Sequence, residues 1–193
     1  MRVLGIDPGT LTSGYGIVVE EDHRLFHIAS GGISPSAKQP FPVRLKKIYE
    51  ELEKIIDKHR PQVVVVEDLF VSKNMKSALK LGHARGVAIL AAMNAGLPVF
   101  EYAPLEIKQA IVGNGKAEKK QVQLMVKTLL DLAKAPHPAD AADALAAAIC
   151  HIHSSRLREI LKGSAPLRQT GRTAAGFRSA NPRRVPVPGI RQA

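Results

Sequence analysis

Four acidic side chains occupy positions where a lone carboxylate would be costly: Asp7, Glu67, Asp140 and Asp143. Asp7 ends the apolar run of residues 3–6, and the proline and glycine that follow would stop a strand there. Glu67 ends the uninterrupted valine run of residues 63–66. Because an unpartnered buried charge is costly, two buried strands that both end on an acid suggest a shared site.

The other two acids lie near the start of the last predicted helix. Asp140 and Asp143 are three residues apart, so they project from one face of its first turn. N-terminal capping is the simpler explanation for Asp140, because acids suit the positive end of a helix dipole. Asp143 is surrounded by alanines on a helix that must pack closely, and solvation does not explain a carboxylate there.

Four carboxylates without a histidine or cysteine cluster favour Mg²⁺ or Mn²⁺ over zinc. Such acids repel one another, so without a metal some of their pKa values should be raised. Two such cations about 4 Å apart would activate a water and stabilise the leaving oxygen of a phosphodiester. The residue types therefore indicate metal-dependent phosphodiester chemistry.

An α/β sheet would bring the acids together. The hydrophobic pattern predicts strands at residues 3–7, 14–20, 25–33, 63–67 and 99–102. It predicts helices at residues 42–60, 74–95, 104–112, 118–132 and 140–161. Short connections make the first three strands an antiparallel meander, and the helix after the third makes the fourth strand parallel to the first. Both acid-bearing strands then end at the same sheet edge, where open α/β sheets bind ligands.

Composition is consistent with one domain and a tail. The chain has 193 residues, of which 45% are hydrophobic and 4% aromatic, which predicts an aliphatic core. Cys150 is the single cysteine and excludes an internal disulfide framework. There is no leader pattern and no apolar run of membrane-spanning length, so we expect a cytoplasmic protein. We expect residues 1–162 to form the domain and the basic residues 163–193 to be disordered alone.

The net charge of +11 suggests a polyanionic partner. From residue 156 onward nine basic residues accompany one acid, a pattern that a solvated arm would also show. Residues 73–134 carry ten basic residues against four acids. An excess inside the predicted domain is the better sign of nucleic-acid binding.

Four sequence blocks together carry a family resemblance: GIDPGTLTSGYG, VVVEDLFVSKNMKSALKLGHARG, FEYAP with GKAEKKQV, and HPADAADALAAAI. From about residue 3 to 153 the chain resembles the RuvC family of Holliday-junction resolvases. The resemblance implies a ribonuclease-H-like fold with a five-stranded mixed sheet, three strands antiparallel and then two parallel, flanked by helices. It implies a homodimer that makes paired symmetric nicks in four-way DNA junctions during recombination and DNA repair. The expected ends are a ligatable 5′-phosphate and a 3′-hydroxyl.

The resemblance also implies roles for single residues. Asp7, Glu67, Asp140 and Asp143 match the family's catalytic metal-binding acids, with two Mg²⁺ per subunit expected and Mn²⁺ as a substitute. Some members have histidine where this chain has Asp140. His137 is not that histidine and is expected to be a plain loop residue between prolines.

Phe70 matches an aromatic that the family uses near the opened junction, where an exposed ring stacks on an unpaired base. A core phenylalanine at a strand end is the alternative. Lys108 and Lys119 match basic residues near the scissile strand, and a solvated helix face is the alternative for each. Charge and position add weaker DNA-binding candidates: Lys73, Asn74, Lys76, Lys80, Arg85, Lys116 and Lys120.

The long helix at residues 74–95 resembles the one at the family's dimer interface. Packing inside one subunit would also explain its many small residues. By family analogy the branch-migration proteins RuvA and RuvB are expected partners.

Two other functions remain as alternatives. The opening GID-x-GT also resembles the first phosphate loop of actin-like ATPases and sugar kinases, but those need two lobes, roughly 300 residues or more. The sequence contains no second glycine-rich phosphate loop. A DNA-binding protein of the same fold without nuclease activity would be expected to lack one of the acids, and all four are present.

Overall fold

The structure, a computed structural model, describes residues 1–68 and 75–163. The strands are β1 Arg2–Asp7, β2 Ser13–Glu21, β3 Arg24–Ile33, β4 Val63–Glu67 and β5 Val99–Tyr102. The helices are α1 Phe41–His59, α2 Met75–Asn94, α3 Pro104–Val112, α4 Lys119–Leu129 and α5 Ala139–Gly163. Within the described ranges, no helix has both the length and the apolar character needed to cross a membrane.

All five strands form one mixed sheet in the order β3-β2-β1-β4-β5. β1, β2 and β3 pair antiparallel, β4 pairs parallel with β1, and β5 pairs parallel with β4. The last paired positions of β1 and β4 are Ile6 and Val66, so Asp7 and Glu67 follow side by side. The predicted five-stranded mixed sheet is confirmed, including the common edge of the two acids.

The sheet is covered on both faces by aliphatic side chains. On one face Leu4 and Ile6 of β1 pack with Ile48 and Leu52 of α1 and with the buried alanines of α2. On the other face, Val3 and the valines at 63 and 65 pack against α3, α4 and α5. Alternate strand positions thus serve two cores, as expected for a sheet buried on both faces.

α5 lies directly on the strand backbone. A methyl group at Gly5 would come within 1.9 Å of the Ala144 carbonyl oxygen, and one at Gly14 within 2.0 Å of the Asp140 carbonyl oxygen. Only glycine leaves room for this approach, and the alanines of α5 are correspondingly small. The close contact holds the start of α5 over the end of β1.

The predicted helix at residues 118–132 is longer than the helix that the structure shows. α4 ends at Leu129, because Asp131 adopts a left-handed backbone with φ 48° and the Leu132 N–H turns back to the Lys127 carbonyl at 2.9 Å. The sequence has no glycine at this end, and none is needed, because aspartate also tolerates the left-handed conformation. Most other boundaries differ by one or two residues. Asn74, the predicted start of α2, lies outside the described residues.

Candidate active site

Three of the predicted acids meet at one point. Asp7, Asp140 and Asp143 each contribute a carboxylate oxygen to a group whose atoms all lie within 4.8 Å of one another. Glu67 follows the last paired position of β4, next to Asp7 at the same sheet edge, and its charge acts on the Asp7 carboxylate. Glu67 is thus a close neighbour of the group that the three aspartates form.

Burial and mutual repulsion raise the pKa values of the two strand acids. Burial, then the charges of Glu67, Asp143 and Asp140, raises the pKa of Asp7 to about 8. Burial, then the charge of Asp143, raises the pKa of Glu67 to about 7. Lys119 opposes both shifts without cancelling them. The cluster thus has more negative charge than its surroundings neutralise.

Lys119 is the nearest cation to the acids. Its Nζ lies 2.5 Å from Asp143 Oδ2, with about half of its side chain exposed. Partial burial works against its charged form, but the hydrogen bond to Asp143 and the charges of the aspartates outweigh burial and raise its pKa. Lys119 therefore stays charged at neutral pH.

A cavity of about 260 Å³ opens beside the acids. Glu67 and Asp143 line it together with Lys108 and Lys119, and apolar walls complete it: Pro104, Ile107, Val122 and Ala146. Acids and lysines in one cavity suit a phosphodiester, since the lysines attract the phosphate while the acids bind a cation. The apolar walls lower the local dielectric, which strengthens both interactions.

The donor set fits a magnesium ion. Carboxylate oxygens are the ligands that Mg²⁺ prefers, and among the described residues no histidine or cysteine joins the group. The raised pKa values show that a compensating positive charge is needed. His137 is exposed in the loop before α5 and is not part of the group.

The remaining predicted DNA contacts are scattered. Lys116 and Lys120 are exposed beside Lys119, and Lys76 and Lys80 are exposed on the first turns of α2. Arg85 instead pairs with Asp68 at 3.0 Å and with Glu101, so it links α2 to β5 and to the residue that follows β4. The last three candidates lie outside the described residues: Phe70, Lys73 and Asn74.

The sequence interpretation missed the residues that hold the turn after Asp7. The Ser13 hydroxyl donates to the Gly9 carbonyl at 2.7 Å and accepts from the Gly9 N–H at 3.1 Å. Arg44 of α1 donates to the Thr10 carbonyl. A single arginine on an amphipathic helix does not indicate in the sequence that it will bind this turn. The role of Gly5 was more accessible from the sequence, because a glycine within an apolar strand indicates that another backbone approaches closely.

Comparison with known proteins gives consistent matches. The sequence profile of RuvC, described as crossover junction endodeoxyribonuclease RuvC, matches residues 3–151, which include all four acids. The crossover junction endodeoxyribonuclease RuvC of Geobacter sp. (strain M21) is 53% identical over 163 residues, 84% of this chain and 99% of that protein. The Thermus thermophilus RuvC structure has a TM-score of 0.75 at 35% identity, covering 82% of this chain and 97% of its own. T. thermophilus RuvC in complex with Holliday junction substrate has a TM-score of 0.77 at 36% identity, covering 82% of this chain and 96% of its own.

Proposed function

The chain belongs to the RuvC family of crossover junction endodeoxyribonucleases, and from that membership we propose that it resolves Holliday junctions by hydrolysing DNA. One observation carries the proposal: the carboxylates of Asp7, Asp140 and Asp143 meet at one point, and Asp143 also lines a cavity with Glu67, Lys108 and Lys119. A relative with the same fold was solved in complex with Holliday junction substrate. The proposed products are symmetric nicks with 5′-phosphate and 3′-hydroxyl ends.

The acids are the proposed metal ligands. Asp7, Glu67, Asp140 and Asp143 would hold two Mg²⁺ ions per subunit, with Mn²⁺ as a working substitute. Such a pair supplies water activation and stabilisation of the leaving 3′ oxygen. The raised pKa values of Asp7 and Glu67 support this role, because a bound cation would offset the burial and repulsion that raise them.

The lysines are the proposed phosphate contacts. Lys108 and Lys119 line the cavity, and the bond from Lys119 to Asp143 holds its ammonium group beside the acids. Lys116 and Lys120 extend the positive charge along the start of α4. Contacts of this kind are independent of sequence and weaken as salt rises.

A homodimer is the proposed assembly, because paired nicks require two sites related by a two-fold axis. The supporting feature is an outward stripe on α2, defined as Met75, Leu79, Gly86, Leu90 and Met93. Its four large side chains are each more than half exposed. The buried alanines of α2 face the opposite way, into the core of their own subunit. Intramolecular packing therefore explains the alanines but not the stripe.

Other parts of the proposal rest on the family resemblance or on the sequence alone. By resemblance Phe70 would stack on an unpaired base, and from charge and position Lys73 and Asn74 are candidate phosphate contacts. RuvA and RuvB would be partners, and the site of action would be the cytoplasm. Residues 163–193 would be a basic tail outside the nuclease domain of residues 1–162.

A cleavage assay tests the proposal. The chain is incubated with a synthetic four-way junction, and separately with linear duplex, in Mg²⁺, Mn²⁺ or EDTA. We expect paired nicks in the junction alone and only with metal. Asp7→Asn should bind the junction and not cut it, while Asp57→Asn, on an exposed acid of α1, should cut normally. Junction binding without cutting under every metal condition would favour the pure DNA-binding alternative.

A further inference from the structure

α5 contacts the sheet in two different ways along its length. Near its start, the helix backbone lies on Gly5 and Gly14 with little between them. Leu145 over Gly16 adds a larger contact, but apolar contacts are not directional. The glycine contacts set how closely the start of α5 approaches the strands, and interactions farther along the helix add to what fixes its position along its own axis.

Farther along α5 there is a buried hydrogen-bonded cluster, which we name the Tyr102–His151 network. The Tyr102 hydroxyl lies 3.0 Å from His151 Nδ1, and Arg158 Nη2 donates to that hydroxyl at 2.9 Å. His151 Nε2 lies 3.2 Å from Ser155 Oγ. Ser154 also hydrogen bonds to Tyr102. His151 is 3% exposed and Tyr102 is 8% exposed, so both are core residues.

The Tyr102 hydroxyl and a neutral His151 can form their hydrogen bond in either direction. A guanidinium can only donate, so the Tyr102 oxygen accepts from Arg158, and it still has a proton to donate and a second lone pair with which to accept. Either imidazole tautomer is therefore compatible with the contacts to Tyr102 and Ser155. Burial and the charge of Arg158 lower the pKa of His151 to about 4, which keeps the ring neutral.

Both ends of the network lead to the active site. Tyr102 pairs with Glu67 in the parallel ladder of β4 and β5, and the Asp68 N–H donates to the Tyr102 carbonyl at 2.9 Å. His151 lies on the same helix as Asp143, about two turns later, or about 12 Å along the axis. The network thus connects the strands that hold Glu67 with the helix that carries Asp143.

We infer that Tyr102 and His151 are positioning residues: their buried hydrogen bond fixes the strand edge that ends at Glu67 against the helix that carries Asp143, and so holds the proposed cation ligands in place. Apolar side chains of similar size would fill the same space without the cost of removing polar groups from water. The polar pair therefore contributes to the position of the helix and strand rather than to the stability of the fold. The inference rests on the proposed metal site, and it also predicts a change in metal binding that needs no DNA.

Three variants isolate the hydrogen bond. Tyr102→Phe removes the hydroxyl and keeps the ring, and His151→Leu removes the imidazole. His151→Asn places an amide group, which can donate or accept, close to the position of Nδ1, so it should restore function relative to His151→Leu. Ile111→Ala, a cavity in the same core that leaves the network intact, is the control for lost stability.

The measurements are Mn²⁺ binding by calorimetry without DNA, single-turnover cutting of a four-way junction, junction binding in EDTA, and melting temperature. Tyr102→Phe and His151→Leu should weaken Mn²⁺ binding and slow cutting by about 10- to 100-fold, the usual effect of residues that support metal ligands. Junction binding should stay within about twofold, because phosphate contacts dominate it.

Equal losses of Mn²⁺ affinity in Tyr102→Phe and Ile111→Ala at equal melting temperature would overturn the inference. So would a failure of His151→Asn to exceed His151→Leu. If the wild-type protein binds Mn²⁺ but cuts no junction, the proposed function fails instead, and the calorimetry still decides the positioning role.

Discussion

At the scale of single residues, the site is governed by uncompensated negative charge. Asp7 and Glu67 retain protons near neutral pH because burial and neighbouring acids make the ionised pair costly. Lys119 neutralises part of that charge through Asp143. A divalent cation is the chemical species that would neutralise the rest, and its binding should release protons.

This charge predicts an unusual dependence of stability on pH in the metal-free protein. The folded pKa values of Asp7 and Glu67 lie above their ordinary values of 3.8 and 4.5. Their contribution is therefore most favourable below pH 4 and is lost as pH rises through about 7 to 8. In EDTA, Asp7→Asn should become more stable than wild type at pH 8, by an amount on the order of a few kcal/mol.

Denaturant unfolding at several pH values measures this difference. Comparing the variant with wild type at each pH removes the contributions of the other titrating groups from the stability difference. One of them is His151, whose lowered pKa makes stability rise with pH. Added Mg²⁺ should stabilise wild type and not the variant. An Asp7→Asn protein less stable than wild type at pH 8 in EDTA would contradict the assigned charge balance.

At the scale of elements, the contact between α5 and β1 brings the acids together. Asp7 comes from a strand and Asp140 and Asp143 from a helix more than 130 residues later in the chain. Gly5 permits the contact, because its backbone faces the Ala144 carbonyl with no room for a methyl group. The geometry of the site therefore depends on a residue with no side chain.

Gly5→Ala should move α5 away from the sheet. The added methyl meets backbone at 1.9 Å, so relief requires a helix shift, and we expect a loss of about 3 kcal/mol in unfolding free energy. Cutting should fall more than junction binding. Gly31→Ala is the control, because its methyl would meet the movable Tyr15 ring at 3.0 Å. Equal stability and activity in the two variants, by denaturant unfolding and cleavage assay, would refute the role of Gly5.

The sequence predicted elements and their order better than the contacts between them. The valine run, the strand-ending acids and the connecting helix were enough to predict parallel strands with Asp7 and Glu67 at one edge. The Tyr102–His151 pairing was not predictable, because its partners are far apart in sequence and meet only through packing. The same holds for Lys119 and Asp143, and the end of α4 was missed because it lacks glycine.

At the scale of the whole molecule, the unexplained surface is the outward stripe of α2. One subunit buries the alanines of that helix and leaves four large apolar side chains in solvent. Exposed apolar surface of this kind is typical of an interface between proteins. A second copy of the chain would cover it and would supply the second active site.

Leu90→Glu should therefore give a monomer. The introduced carboxylate would be buried in the proposed interface, which is costly without a partner. Light scattering after size exclusion should show half the wild-type mass, and paired cutting should give way to single nicks. Leu157→Glu, at a similarly exposed position on α5, should remain a dimer. An unchanged mass for Leu90→Glu would place the interface elsewhere.

The central claim is that acids from β1, β4 and α5 together form a divalent-cation site. Crystals soaked in Mn²⁺ and measured at the manganese absorption edge test it most directly. We predict anomalous density among Asp7, Glu67, Asp140 and Asp143, and its loss in Asp143→Asn. Anomalous density at other positions only, with these four side chains ordered and ion-free in junction-bound crystals, would contradict the account.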